Sequence, residues 1–215
     1  ISDMYVKDKL VPIEKYVDKA VIDSLPKSVI EAVKVNDVLY SIPQGVSGFM
    51  VYYNKQIFKD AGLDPEKAPT NWDELYSYAK QITDNTKYPG IGFPAKGTTL
   101  HDHMLLLMFQ GIGGQIIDDN NQPRINTPEG IRALEFAKKL TTVAQDNFIE
   151  FERGACRSLF VNGELGMLIS DSTWAVPALQ AKYGGNLDES IIGLAPMFAG
   201  PAGKFNYFGA DGWVI

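Results

Sequence analysis

The chain has 215 residues, 45% of them hydrophobic and 21% charged, with a formal net charge of −6. That length suffices for a real hydrophobic core in one large domain or two lobes, and that balance excludes a disordered chain. The acidic balance excludes a nucleic-acid surface, which needs clustered Lys and Arg.

The longest apolar stretch, Met104 to Phe109, falls far short of the roughly 18 residues of a membrane-spanning helix. The single cysteine, Cys156, excludes an internal disulfide and a cysteine-based metal site. The opening residues Ile1-Ser2-Asp3-Met4-Tyr5 lack the basic and apolar regions of a signal peptide. Gly212-Trp213-Val214-Ile215 stops inside an expected strand, so the expectation is a chain cut from something longer at both ends.

Residues 1–34 carry an amphipathic helical pattern with short breaks, and Leu10-Val11-Pro12-Ile13 forms an extended apolar hook. Ser24 before Leu25-Pro26 is the expected cap of a following helix. Val38, Tyr40 and Ile42 alternate as a strand, and Phe49 to Tyr53 is a second one. Between them, Pro43-Gln44-Gly45-Val46-Ser47-Gly48 predicts a crossing or hinge. Asn54 caps a short helix that Gly62 stops. Thr70 and Asn71 offer overlapping capping boxes with Asp73 and Glu74. Trp72, Leu75, Tyr76, Ala79 and Ile82 then trace one helical face.

Ile91-Gly92-Phe93 is a short strand, and His101 to Ile112 is helical. Thr127-Pro128-Glu129 starts a helix with the stripe Ala133, Phe136, Ala137, Leu140 and Val143. A helix closing at Leu159-Phe160 is broken by Gly163, and Leu165 to Ile169 is a strand. Ser172 to Tyr183 is helical, and Ile191–Pro196 and Gly209–Ile215 are the last strands. Strands alternating with helices define an α/β architecture.

The chain has no Gly-x-Ser-x-Gly elbow and no Walker-type loop. In His101-Asp102-His103 the two imidazoles diverge on a helix and converge only on a strand, a metal would need a third ligand that the sequence does not place, and the favoured reading is a helix cap by Asp102. Cys156 lies beside Arg153 and Arg157, which would lower its pKa; the structural reading is a half-buried helix thiol. Trp174 sits in the first turn of a helix after a strand and the turn Ser170-Asp171-Ser172. In an α/β domain that is the mouth where ligands bind, and an indole face there stacks on a pyranose ring. Ser170, Asp171 and the helix N–H groups would bind hydroxyls. Trp213 follows another small-residue loop, whereas Trp72 belongs to a core face.

The run Tyr52-Tyr53-Asn54-Lys55, Phe58, Ala61-Gly62-Leu63-Asp64 and Pro69-Thr70-Asn71-Trp72-Asp73-Glu74 resembles a signature of the family 1 extracellular solute-binding proteins. These are the maltose-binding-protein-like receptors of ABC sugar importers. The resemblance continues through Asn126-Thr127-Pro128-Glu129-Gly130, Phe160-Val161-Asn162-Gly163-Glu164, Met167 and Trp174-Ala175.

It implies a type II periplasmic-binding-protein-like α/β fold, two-lobed with a hinged cleft. Residues 1–43 would be a fragment of the N-terminal lobe, 44–47 the hinge crossing, 48–196 the C-terminal lobe and 197–215 the return segment. Trp174 matches the family's sugar-stacking aromatic, here preceded by Asp171-Ser172-Thr173 in place of the commoner Gly-Pro. Ser47 falls where maltose receptors carry an acidic cleft residue. His101 and His103 fall near cleft positions, and Asp211 and Trp213 in a segment that often lines the cleft.

The function implied is reversible capture of a sugar or oligosaccharide and its delivery to a membrane permease, with no reaction, no cofactor and no metal. The setting implied is extracytoplasmic, with membrane association only through a lipid anchor or the permease. Two alternatives stay open. One is a glycoside-acting enzyme using Glu164 and Asp171. The other is a receptor for a non-sugar solute such as glycerol phosphate, ranked lower because only Lys96 lies near the expected site in sequence. The segments expected to lack partners, with Leu10, Val11, Ile13, Val29 and Val33, would expose apolar surface and favour a homodimer of the truncated chain.

Overall fold

The computed structural model describes residues 9–97, 99–118, 120, 122–184, 189–206 and 208–215. The side chains at 99–103, 172, 173, 175, 176, 208, 210 and 211 lie outside that description. The chain divides into two compact units: one runs up to Gly48 and includes Phe208–Ile215, and the other spans Phe49–Tyr207.

The first unit opens on a 3-10 turn, Ile13–Lys15, followed by α1 (Lys19–Asp23) and α2 (Lys27–Ala32). Asp18 caps α1 by accepting the Ala20 N–H at 2.9 Å. Ser24 closes α1 and does not open α2: its N–H and hydroxyl both donate back into the helix. Pro26 takes the position before α2, with φ already near the helical value. A short hairpin follows, β1 (Lys34–Val35) and β2 (Val38–Leu39); β2 opens the strand expected from Val38, whereas β1 was not expected. Its two-residue turn is Asn36-Asp37, both at positive φ, the conformation that matches strand twist. Ile13, Ile30, Val33 and Leu39 are buried together. The expectation that Ile13 and Val33 lie exposed is therefore corrected, whereas Val11 is exposed.

Where two separate strands flanking a crossing were expected, β3 is one continuous strand, Ile42–Asn54, that runs through 43–48. The segment is ordered by a partner distant in sequence, β9 (Phe208–Trp213), with a register shift between Pro43 and Gly45. Pro43 has no N–H to donate to a ladder, which accounts for an irregularity at that point. Neither Gly45 nor Gly48 has a positive φ.

In the second unit, Asn54 caps α3 (Lys55–Asp60) by accepting the N–H groups of Gln56 and Ile57. Gly62 follows at φ 81, a conformation that costs glycine little. Asn71 caps α4 (Trp72–Asn85) by accepting the Glu74 N–H, and Glu74 reaches back to the Thr70 N–H and hydroxyl. Trp72, Leu75, Ala79 and Ile82 are its buried face. Then come β4 (Ile91–Gly92), α5 (Thr99–Gly111) and α6 (Pro128–Thr141), the last capped by Thr127. They are followed by α7 (Arg153–Asn162), β5 (Met167–Asp171), α8 (Ser172–Lys182) and β6 (Ile192–Pro196). A small hairpin, β7 (Ala199–Gly200) with β8 (Gly203–Lys204), lies beyond residue 196 yet still in this unit. The chain then returns as β9 (Phe208–Trp213) to pair with β3 in the first unit.

The sheet of the second unit has the order β4-β5-β3-β6, with β4 parallel to β5 and β3 antiparallel to both neighbours. Strand alternation sends its side chains into two cores. Phe49, Val51, Tyr53, Met167 and Ile169 join the core built with α3–α6, where Trp72 stacks on Phe136 at 4.1 Å. Tyr52, Leu168 and Ile192 join the other, with Cys156 and Phe160 of α7 and Leu179 of α8. Full burial of an aliphatic side chain contributes about 1.5 to 3 kcal/mol, so both helix layers are held firmly on the sheet.

Candidate functional site

The site forms where β5 ends and α8 begins. Ser170 is fully buried, and Asp171 is the residue before the first turn of α8. The Asp171 side chain makes no capping bond to that turn. Its carboxylate instead takes a close ion pair from the Arg157 guanidinium, and Arg153 approaches it at 3.6 Å. Arg157 also donates to the Ser170 hydroxyl twice, from Nε at 3.2 Å and from the terminal nitrogen at 3.0 Å. One guanidinium thus ties α7 to the last two residues of β5. Burial lowers the Arg157 pKa, and the Asp171 charge works against that effect.

Trp174 stands beside this pair. Arg157 lies 4.6 Å from its ring centroid, and the Tyr52 ring is tilted against it at 5.8 Å. The indole is half-buried, and its Nε1 is enclosed without a hydrogen-bond partner among the described residues. Tyr52, buried in the sheet, donates its hydroxyl to the Asp171 carbonyl at 3.0 Å. Burial, with the Asp171 charge second, pushes the Tyr52 pKa up to about 12.

Of the residues expected at a site, the structure brings Trp174 and Asp171 together in the second unit. Ser47 and Trp213 lie on the β3–β9 ribbon of the first unit, with Ser47 opposite Gly209 and Trp213 opposite Ile42. Trp213 is 69% exposed. The Asp211 backbone pairs with Gly45 on the same ribbon, but its side chain lies outside the described residues. His101 and His103 fall on α5, and their side chains also lie outside the described residues.

Cys156 is fully buried and accepts from Gln145 at 3.5 Å. Its pKa is pushed up to about 12 by burial, the reverse of activation by neighbouring arginines. The guanidinium of Arg157 goes to Ser170 and Asp171.

Sequence reasoning missed Arg157, Arg153 and Tyr52 as members of the site. It named Lys96 as the basic group nearby, yet Lys96 pairs with Glu150. The pairing of Arg157 with Asp171 spans a helix end, a loop and a strand, and no local pattern announces it.

Over residues 1–215 the chain matches the family described as bacterial extracellular solute-binding protein, and it belongs to that family. It is 27% identical over 180 residues to a binding protein of Brucella abortus (strain 2308), covering 82% of this chain and 42% of that protein. It is 27% identical over 172 residues to the multiple sugar-binding protein of Streptococcus mutans, covering 75% of this chain and 40% of that one. Its fold is similar to an ABC transporter solute-binding protein from Thermotoga lettingae solved with α-D-tagatose, with a TM-score of 0.84 at 23% identity over 96% of this chain and 53% of that one. The likeness establishes the type II periplasmic-binding-protein-like α/β fold. The chain spans about two fifths of the length of these two sequence relatives and about half of the solved structure.

Proposed function

We propose that this chain is part of an extracytoplasmic receptor that reversibly binds a sugar or oligosaccharide and hands it to the permease of an ABC importer. The observation that carries this reading is the half-buried Trp174 indole at the strand-to-helix mouth, beside the Asp171–Arg157 pair. An aromatic face next to a few fixed polar groups suits a hydroxylated solute, whose ring has apolar faces and polar edges. The sugar named for the Streptococcus mutans relative and the tagatose held by the Thermotoga lettingae protein support the same class of ligand.

In this reading Ser47, His101, His103, Asp211 and Trp213 supply further solute contacts, and residues 44–47 serve as the hinge. Membrane attachment comes from a lipid anchor or from the permease. Binding without turnover is favoured over glycoside chemistry. Glu164 is an exposed residue after α7, and Asp171, its supposed partner, is engaged by Arg157. Pairing of two copies through exposed Val11, Val46, Trp213 and Ile215 of the first unit is a further part of the reading, to be checked by light scattering.

The test is thermal denaturation against maltose, D-tagatose and D-mannitol, with product analysis of the same mixtures. A melting temperature that rises with sugar concentration, with the sugar recovered unchanged, is the expected result. Conversion of the sugar, or no shift with any of the three, would overturn the reading.

A further inference from the structure

Arg157 carries more contacts at the site than any role in charge balance requires. Its side chain is largely buried, it donates twice to the buried Ser170 hydroxyl, and it ion-pairs with Asp171. With those anchors fixed, its guanidinium lies 4.6 Å from the centre of the Trp174 ring. A planar guanidinium suits this double task, because it forms forked hydrogen bonds in its plane and stacks through its face.

We infer that Arg157 is a positioning residue for Trp174: it covers one face of the indole, holds the ring at a fixed tilt and leaves the opposite face for solute. The inference rests on the reading of Trp174 as a stacking platform. It adds that the platform's orientation is set from α7 through Ser170 and Asp171, not by α8 alone. The Asp171 side chain makes no capping bond to the first turn of α8 and is held by Arg157. The indole Nε1 has no hydrogen-bond partner among the described residues to fix its rotation either. The Tyr52 ring limits the indole on a second side at 5.8 Å.

A ring held in advance loses less freedom on binding, so a solute that stacks on it binds more tightly. Arg157→Lys keeps a cation near the ring but cannot fork onto both Ser170 and Asp171. Arg157→Met keeps some bulk and loses every polar contact, leaving a partly buried carboxylate without that partner. The double variant Arg157→Met with Asp171→Asn removes both charges, and Ser170→Ala removes only one anchor. Both serve if the single Arg157→Met chain does not fold.

The experiment incorporates 5-fluorotryptophan into the chain, which has three tryptophans and so gives three fluorine resonances. The Trp174 signal is assigned with Trp174→Phe, and the Trp72 signal serves as the control for an intact core. The expected result is a shifted and broadened Trp174 signal in Arg157→Met and in the double variant. Arg157→Lys and Ser170→Ala give intermediate changes, and the Trp72 signal stays in place. Affinity for whichever of maltose, D-tagatose or D-mannitol raises the melting temperature should fall roughly 3- to 10-fold in Arg157→Met, the scale of one cation–π contact.

An unchanged Trp174 signal in folded Arg157→Met or double variant overturns the inference, and so does full retention of ring order in Ser170→Ala together with Arg157→Lys. The reading of Trp174 as the stacking platform fails separately, if Trp174→Ala binds the same sugar as tightly as the parent while the fluorine result stands.

Discussion

The Arg157 guanidinium carbon lies over the Trp174 ring, 4.6 Å from its centroid, and the two residues come from two helices joined by a single strand of the central sheet. The indole is thereby both a packing element and a surface, and replacing it has two separable consequences. Trp174→Ala should weaken sugar binding by about 1 to 3 kcal/mol, the scale of a lost aromatic anchor. It should also lower stability, because the ring packs on Tyr52 and its core. Circular dichroism and calorimetric titration on the same sample separate the two. A variant that does not fold shows that packing dominates, and a folded variant with parental affinity removes Trp174 from the site.

Tyr52 gives the chain an alkaline weakness. Its folded pKa is raised to about 12 from 10.0, so between those values the unfolded chain loses the phenol proton while the folded chain keeps it. The unfolded state then binds fewer protons, and stability falls as pH rises through that window. The contribution is full below pH 10 and is lost by about pH 12, with a size of about 2 to 3 kcal/mol at 1.36 kcal/mol per unit. Tyr52→Phe lacks this titration. Urea unfolding at pH 8 and pH 11 should show the parent losing more stability than the variant, and equal losses would refute the assignment.

Cys156 should be inert in the native chain. Its Sγ is buried and its pKa is raised to about 12 by that burial, so at pH 8 it is neither accessible nor ionised. Labelling with a thiol-specific disulfide reagent should proceed at the rate of unfolding and accelerate with urea. Rapid labelling of folded chain at pH 8 would contradict the burial.

What the sequence made legible was local. Asn54, Asn71 and Thr127 announce helices within three residues of themselves, and each is found capping the helix expected of it. The stripe of Trp72, Leu75, Tyr76, Ala79 and Ile82 follows from helical period alone, and all but the half-buried Tyr76 are buried. What was hidden depended on partners far along the chain. Pro43 and two glycines mark a crossing or hinge between two strands, and only the pairing of β9 with residues 42–48 shows that the two strands are one. The strand from Val38 was legible, but β1 escaped because it has two residues and the turn to β2 is Asn36-Asp37, without the glycine that usually marks such a turn. Arg157 escaped for the same non-local reason: its neighbour Cys156 is one residue away, while Ser170 and Asp171 are brought to it by the packing of α7 on β5.

Two glycines with opposite surroundings test how tightly the structure is specified. Gly90 precedes β4, and its backbone is fixed on three counts. Its N–H donates to the Val143 carbonyl at 2.9 Å and to the Thr83 hydroxyl at 3.0 Å, and its carbonyl accepts from Met167 at 2.9 Å. A methyl group added there would collide with the backbone of Ala79 in the middle of α4. A helix backbone cannot give way as a side-chain tip can, so α4 must move off the sheet or the hydrogen bonds must break. Gly90→Ala should therefore cost about 1 to 3 kcal/mol or more, the range of overpacking in a filled core. Gly45 is the opposite case. It has no positive φ, and a methyl group there meets nothing within 4 Å. Gly45→Ala should change stability by no more than about 0.5 kcal/mol, or raise it by about 0.4 to 1 kcal/mol by restricting the unfolded chain. Urea midpoints of the two variants beside the parent decide the matter. A tolerated Gly90→Ala would mean that α4 and β4 are less closely packed than described, and a damaging Gly45→Ala would mean that the β3–β9 bulge depends on glycine after all.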